Sequence, residues 1–213
     1  MVVSIKKIII LSLFIEFLYV NVFVVSEPSL AIADSTSSSV VFTQVVSGAI
    51  AITEPIDVTM TPLTLIQDTS VASTTWTVTT NNSTGYTLKI SSTAGAGAMR
   101  NDVNHFTDYA GPATPWTVTD SYEFGFSAIG SKTTGYGTDT ESNCADALNI
   151  PSSTLGWEPF LGVTQIEIAS STTATGGDGQ STTLCVADEQ DGTGLAPTGT
   201  YYATTTATAT TNP

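Results

Sequence analysis

The sequence predicts an all-β protein, an antiparallel β-sandwich or jelly-roll-like single domain behind an N-terminal signal segment. Three observations carry this. Apolar and polar residues alternate with period two in several separate stretches, as they must when successive side chains point to opposite faces of a sheet. The stretches are short and are separated by Gly-, Asn-, Pro- and Asp-rich turns. A helical period is almost absent, so roughly eight to ten strands are expected.

Residues 1–33 read as an export signal. Lys6 and Lys7 precede an apolar run over 8–25, and Ala31-Ile32-Ala33 fits a small-x-small cleavage site. The alternative is a retained membrane anchor. Glu16 and the Pro-containing tail over 28–33 argue against it. The domain expected after cleavage is 34–213, long enough for one well-cored unit and short for two.

The net charge is −14, and it stays there when the signal is removed, because Lys6, Lys7, Glu16 and Glu27 cancel. The remaining cations, Lys89, Arg100 and Lys132, are isolated from one another. No basic stripe is available to neutralise phosphates, so nucleic acid is not an expected partner. Cys144 and Cys185 both lie in the exported part and are expected to form one disulfide. Closing a loop of that length contributes ~4 kcal/mol in the chain-entropy treatment. The alternative, free thiols or metal ligands, is poorly served by a chain with one histidine and no CxxC.

After a polar arm, residues 40–53 form the first strand candidate, apolar on both faces and therefore buried or interfacial. Residues 56–65 continue it, broken by Pro62. Residues 75–91 read as a β-hairpin. Trp76, Val78 and Thr80 share one face of the first arm, and Tyr86, Leu88 and Ile90 one face of the second, with Asn81 to Gly85 as the turn. Residues 92–99 are small and flexible, and 100–114 irregular with His105, Phe106 and Tyr109 clustered. Further strands are expected at 116–119, 122–129, 163–169 and 181–187, that at 122–129 half-buried with Tyr122, Phe124, Phe126 and Ala128 on one face and Glu123, Gly125 and Ser127 on the other, and 130–151 is expected as a polar surface loop. The last strand spans 200–211. Tyr201, Ala203, Thr205, Ala207 and Ala209 share one face, and Tyr202, Thr204, Thr206, Thr208 and Thr210 the other.

The stretch Gly85-Tyr86-Thr87-Leu88 and the closing run over 199–213, which opens Gly-Thr-Tyr-Tyr-Ala and ends on Pro213, together resemble the WxL surface domain of Gram-positive bacteria. Its closing strand has the form GTYxAxLxWxLxxxP, and Gly199, Tyr201, Ala203 and Pro213 stand at the matching positions, with Ala207 at the Trp position and Ala209 at the second Leu. Its first motif, a GWTL-type strand after a VTDN-like turn, is matched by Gly85-Tyr86-Thr87-Leu88 after Val78-Thr79-Thr80-Asn81, with Tyr86 in place of Trp. The resemblance covers most of 40–213. It implies a cell-surface protein that attaches non-covalently to peptidoglycan.

Candidate chemistry is sparse. His105 with Asp102 or Asp108 and any of many serines spells a triad, but that freedom carries no information. Glu123 and Glu158 are one carboxylate pair among many. No catalytic set is assigned and the chain is not expected to be an enzyme. No cofactor is expected. The one cation considered is calcium, with Asp178, Asp188 and Asp191 in acidic turns as candidate ligands. Asn81 and Asn82 each open a glycosylation sequon. Aromatic rings can stack on sugars. Trp116, Tyr86 and Tyr109 are the wall- or glycan-binding candidates, whereas Trp76 and Trp157 are expected in the core.

The expected function is a non-catalytic exported surface or envelope protein associating with the cell wall or neighbouring surface proteins. One alternative is a self-assembling filament or coat subunit using strand exchange, and another is a secreted carbohydrate-binding module.

Overall fold

The computed structural model describes residues 37–64, 68–95, 97–111, 115–130, 133, 135–136, 143–191 and 193–213. The signal segment, its cleavage site and Lys132 lie outside the described residues.

The described part of the chain's first unit, residues 37–45, has no regular secondary structure, and Val40, Val41, Phe42 and Val45 are exposed, Phe42 at 93%. The strand expected over 40–53 is therefore corrected: only Ile50–Ile52 forms one. β-branched residues have strand propensity, but a ladder also needs a neighbour, and here only the last few residues find one.

The second unit, residues 46–213, is an all-β sandwich of eight strands, with no helix among the described residues. They are β1 (Ile50–Ile52), β2 (Thr69–Thr80), β3 (Tyr86–Ser92), β4 (Thr107–Asp108), β5 (Tyr122–Ile129), β6 (Ile166–Ser171), β7 (Gln180–Gln190) and β8 (Thr205–Thr211). One sheet has the order β1-β2-β7-β5-β4 and the other β6-β3-β8. Every ladder is antiparallel except the two-residue β4–β5 pair.

The expected hairpin at 75–91 is not one. β2 and β3 belong to different sheets, so the chain arches from one layer to the other at residues 81–85. Gly85 takes φ 83°, and a Cβ there would collide with the Ser171 carbonyl, so only glycine fits. Asn82 Nδ2 ties the arch to the Asn212 carbonyl at 2.8 Å.

The alternation is nevertheless as read. Trp76, Val78 and Leu184, with Phe124 and Phe126 of β5, face Tyr86, Leu88, Ile90 and Ile168 of the smaller sheet across the main core. Residues 116–119 and 56–64 form no strand. β5 has the expected bounds but is buried on both faces rather than one, Glu123, Gly125 and Ser127 included. Its outer face lies under a second cluster made by Tyr109, Leu155, Trp157, Cys185 and Ala187.

Cys144 and Cys185 form the disulfide expected of them, with Cα atoms 5.4 Å apart. It pins the 143–152 loop onto β7, where Trp157 Nε1 donates to the Ser152 carbonyl at 3.1 Å.

Candidate functional site

The three aromatic candidates have different fates. Tyr86 is fully buried on the inner face of β3, where burial raises its phenol pKa and the neighbouring Thr182 hydroxyl partly offsets this. Tyr109 is 3% exposed, and its hydroxyl donates to the Pro115 carbonyl at 3.0 Å. Neither ring offers a face to a ligand. Trp116 is half-buried. One face stacks on Tyr109 at 4.6 Å and 8°, its edge meets Trp157 at 5.2 Å, and Nε1 donates to Glu189 Oε2 at 2.6 Å. Desolvation raises the Glu189 pKa and the indole N–H pulls it back, with Glu123 and Asp191 adding repulsion. Trp116 thus closes the second cluster over the sheet. Trp76 and Trp157 are core residues, as expected.

The calcium candidates do not converge. Asp178 lies in the turn before β7 and Asp188 near its far end, roughly 30 Å along the strand. Asp188 is buried on the inner face, across from Ser70 and Phe124. Asp191 is turned onto the N–H and hydroxyl of Thr193, which hold its carboxyl below the usual range. Among the described residues no three His, Cys, Asp or Glu side chains group as metal ligands.

The remaining polar candidates serve local structure. Asp108 accepts from the Gly97 and Ala98 N–H groups at 2.7 and 2.9 Å. Glu123 Oε1 accepts three bonds, from the N–H and hydroxyl of Thr119 and the N–H of Asp120. Glu158 accepts the Tyr136 hydroxyl at 3.0 Å, and burial with that charge raises the phenol pKa.

A different set of residues does converge. After β3 the chain runs through 93–102, and before β8 it runs through 199–204. The two runs meet in backbone bonds: Thr93 N to Thr204 O at 3.1 Å, Arg100 N to Tyr202 O at 3.0 Å, and Tyr202 N to Arg100 O at 2.8 Å. Between them lies an open cleft of about 530 Å³, walled by Thr93, Arg100, Asn101, Asp102, Thr200, Tyr202 and Thr204 with Ala94 and Ala98 as its apolar part.

The local sequence explains the walls. Tyr201 points inward, edge-on to Phe106 at 5.1 Å, with its hydroxyl on the Pro197 carbonyl at 2.7 Å. Period two then turns Tyr202 outward, and it is 69% exposed. Asn101 Oδ1 caps the N–H groups of Val103 and Asn104 at 3.0 and 2.7 Å. Arg100 Nε donates to the Gly97 carbonyl at 3.0 Å, which orients the guanidinium. Gly97, at φ 73°, lies against the His105 ring, where a Cβ has no room.

This cleft combines an aromatic ring, a guanidinium, a carboxamide, a carboxylate and threonine hydroxyls in one open groove. Such a set can stack on the apolar face of a sugar ring and hydrogen-bond its hydroxyls. Tyr202 is legible in the sequence as an outward aromatic. Arg100, Asn101 and Asp102 lie in a stretch without periodicity, and their meeting with Tyr202 is a long-range event.

No protein-family model, no curated protein and no solved structure matches this chain. Among the described residues no helix is long and apolar enough to cross a membrane.

Proposed function

We propose that this chain is a non-catalytic exported envelope protein, WxL-like in character, that holds a cell-wall polymer such as peptidoglycan in the cleft beside Tyr202. The observation that carries the reading is the gathering of Tyr202, Arg100, Asn101 and Asp102 along one groove. Two further observations support it. The disulfide fits an oxidising compartment outside the cytoplasm. The two stretches that resemble the WxL motifs are hydrogen-bonded neighbours, with Leu88 opposite Ala209 and Tyr86 opposite Thr211. A secreted carbohydrate-binding module would use the same groove, and the polymer it retains tells the two apart.

The test is co-sedimentation of the exported protein with purified peptidoglycan. The wild type is expected to pellet with the polymer. Tyr202→Ala should weaken retention by roughly tenfold or more, the scale of one lost aromatic contact, while Tyr202→Trp keeps it. Tyr202 is exposed, so the unfolding midpoint should not move. Equal retention of wild type and Tyr202→Ala would overturn the assignment of the cleft.

A further inference from the structure

A sheet edge offers unpaired backbone groups to any other strand, and soluble proteins blunt such edges with charge, proline, bulges or shortness. Of the four outer strands here, β1 has three residues and β4 two. β6 carries Glu167, and its ladder with β3 is broken by a register shift at Leu88/Lys89. β8 has none of these devices. It is seven residues long, contains only Thr and Ala, and its ladder with β3 runs in unbroken register from Thr205 to Thr211. β1, from the other sheet, lies beside it without pairing.

Two features of the strand fit a second copy of itself. The sequence of β8, Thr-Thr-Ala-Thr-Ala-Thr-Thr, reads the same in both directions about Thr208. In an antiparallel pair with a two-fold axis at Thr208, Ala207 meets Ala209, Thr206 meets Thr210 and Thr208 meets itself. Threonines face each other across the outer surface and alanines across the inner, and Thr–Thr cross-strand pairs are favourable. The charge distribution agrees. In a chain of net charge −14, β8 itself carries no charge, and the charge beside it on β3, Lys89 opposite Thr208, is partnered on its other side by Glu167 of β6.

We propose that two copies pair β8 edge to edge about Thr208, joining the two three-stranded sheets into one of six strands. This goes beyond the polymer-binding reading and does not depend on it, since the cleft and the edge use different residues.

The test uses Thr208→Cys in the full exported protein. The two native cysteines are bonded to each other, so this thiol is the one available for linking. Mild oxidation or a short bifunctional maleimide should give a covalent dimer of Thr208→Cys and none of Thr205→Cys, whose self-pair is displaced along the strand. Thr208→Glu, which sets two carboxylates opposite each other across the dimer while Lys89, the β3 partner of Thr208, stands beside each, should abolish the self-association that sedimentation velocity detects in the wild type. Its unfolding midpoint should equal that of the wild type when both are measured at a concentration low enough for the wild type to be monomeric.

A wild type that sediments only as a monomer, with Thr208→Cys unlinked, overturns the proposal. So does association that survives Thr208→Glu but is lost in Phe42→Asp, because the exposed segment over 40–46 of another copy would then be the occupant of the edge.

Discussion

Replacing Cys144 and Cys185 together by serine should lower the unfolding free energy by about 4 kcal/mol, the largest single loss expected for this fold. The bond spans a sequence separation of 41 residues, so its removal releases a long loop in the unfolded chain. The folded side loses something too. Cys185 lies fully buried within the second cluster, and the 143–152 loop it anchors supplies the Ser152 carbonyl that holds Trp157. Denaturant titration of wild type with and without reductant, beside the double serine variant, measures the effect. The midpoint should fall in both, and tryptophan emission in the native baseline should shift to the red as the loop loosens over Trp157. An unchanged midpoint would show that the cluster and loop hold without the bond.

Acidification should stabilise the protein, and Asp188 is the main reason. Its carboxyl is pushed up to about 7, chiefly by burial, with the charge of Asp68 adding and the Ser70 N–H partly offsetting. An unfolded aspartate titrates near 3.9, so between those values the folded state binds a proton that the unfolded state has released. Stability therefore rises as pH falls from above 7 towards 4, and is lost as pH rises through 7. The full difference is on the order of 4 kcal/mol for this one group. Glu189, also raised, acts in the same direction.

Relief of the overall negative charge would favour the acid side as well, so the variant is what isolates Asp188. Asp188→Asn should raise the urea midpoint at pH 8 and flatten its pH dependence between 5 and 8. A wild-type midpoint that falls on going from pH 8 to 5 would contradict this account.

The faces of the strands were legible because burial enforces period two locally. Trp76 and Val78, and Tyr86, Leu88 and Ile90, are all buried as their alternation requires. What alternation does not contain is the partner. The turn residues Asn81 to Gly85 serve a hairpin and an inter-sheet arch equally well. The choice is made by β7, which pairs with β2 along Thr69 to Val78, and by β6 and β8, which flank β3. The apolar faces of β2 and β3 then look at each other across the core instead of lying side by side.

β5 shows the same limit. Glu123, Gly125 and Ser127 read as a solvent face, but the 119–120 turn closes on Glu123, and Tyr109, Trp116 and the Glu158 carbonyl lie over Gly125. Trp116 failed as an exposed platform for a related reason. Its polar edge found Glu189 and its face found Tyr109, both brought from elsewhere by the fold. The cleft was half legible, in the outward turn of Tyr202. The other half needed the backbone pairing of Arg100 with Tyr202, which no local pattern announces.

Residue-level mapping of a soluble peptidoglycan fragment on residues 34–213, by amide chemical-shift perturbation, decides whether the groove beside Tyr202 holds the polymer. Shifts should be confined to residues 93–95, 100–102 and 200–204, with the Trp116 indole unmoved. Shifts centred on Trp116, or none in the cleft at saturating fragment, would contradict binding there.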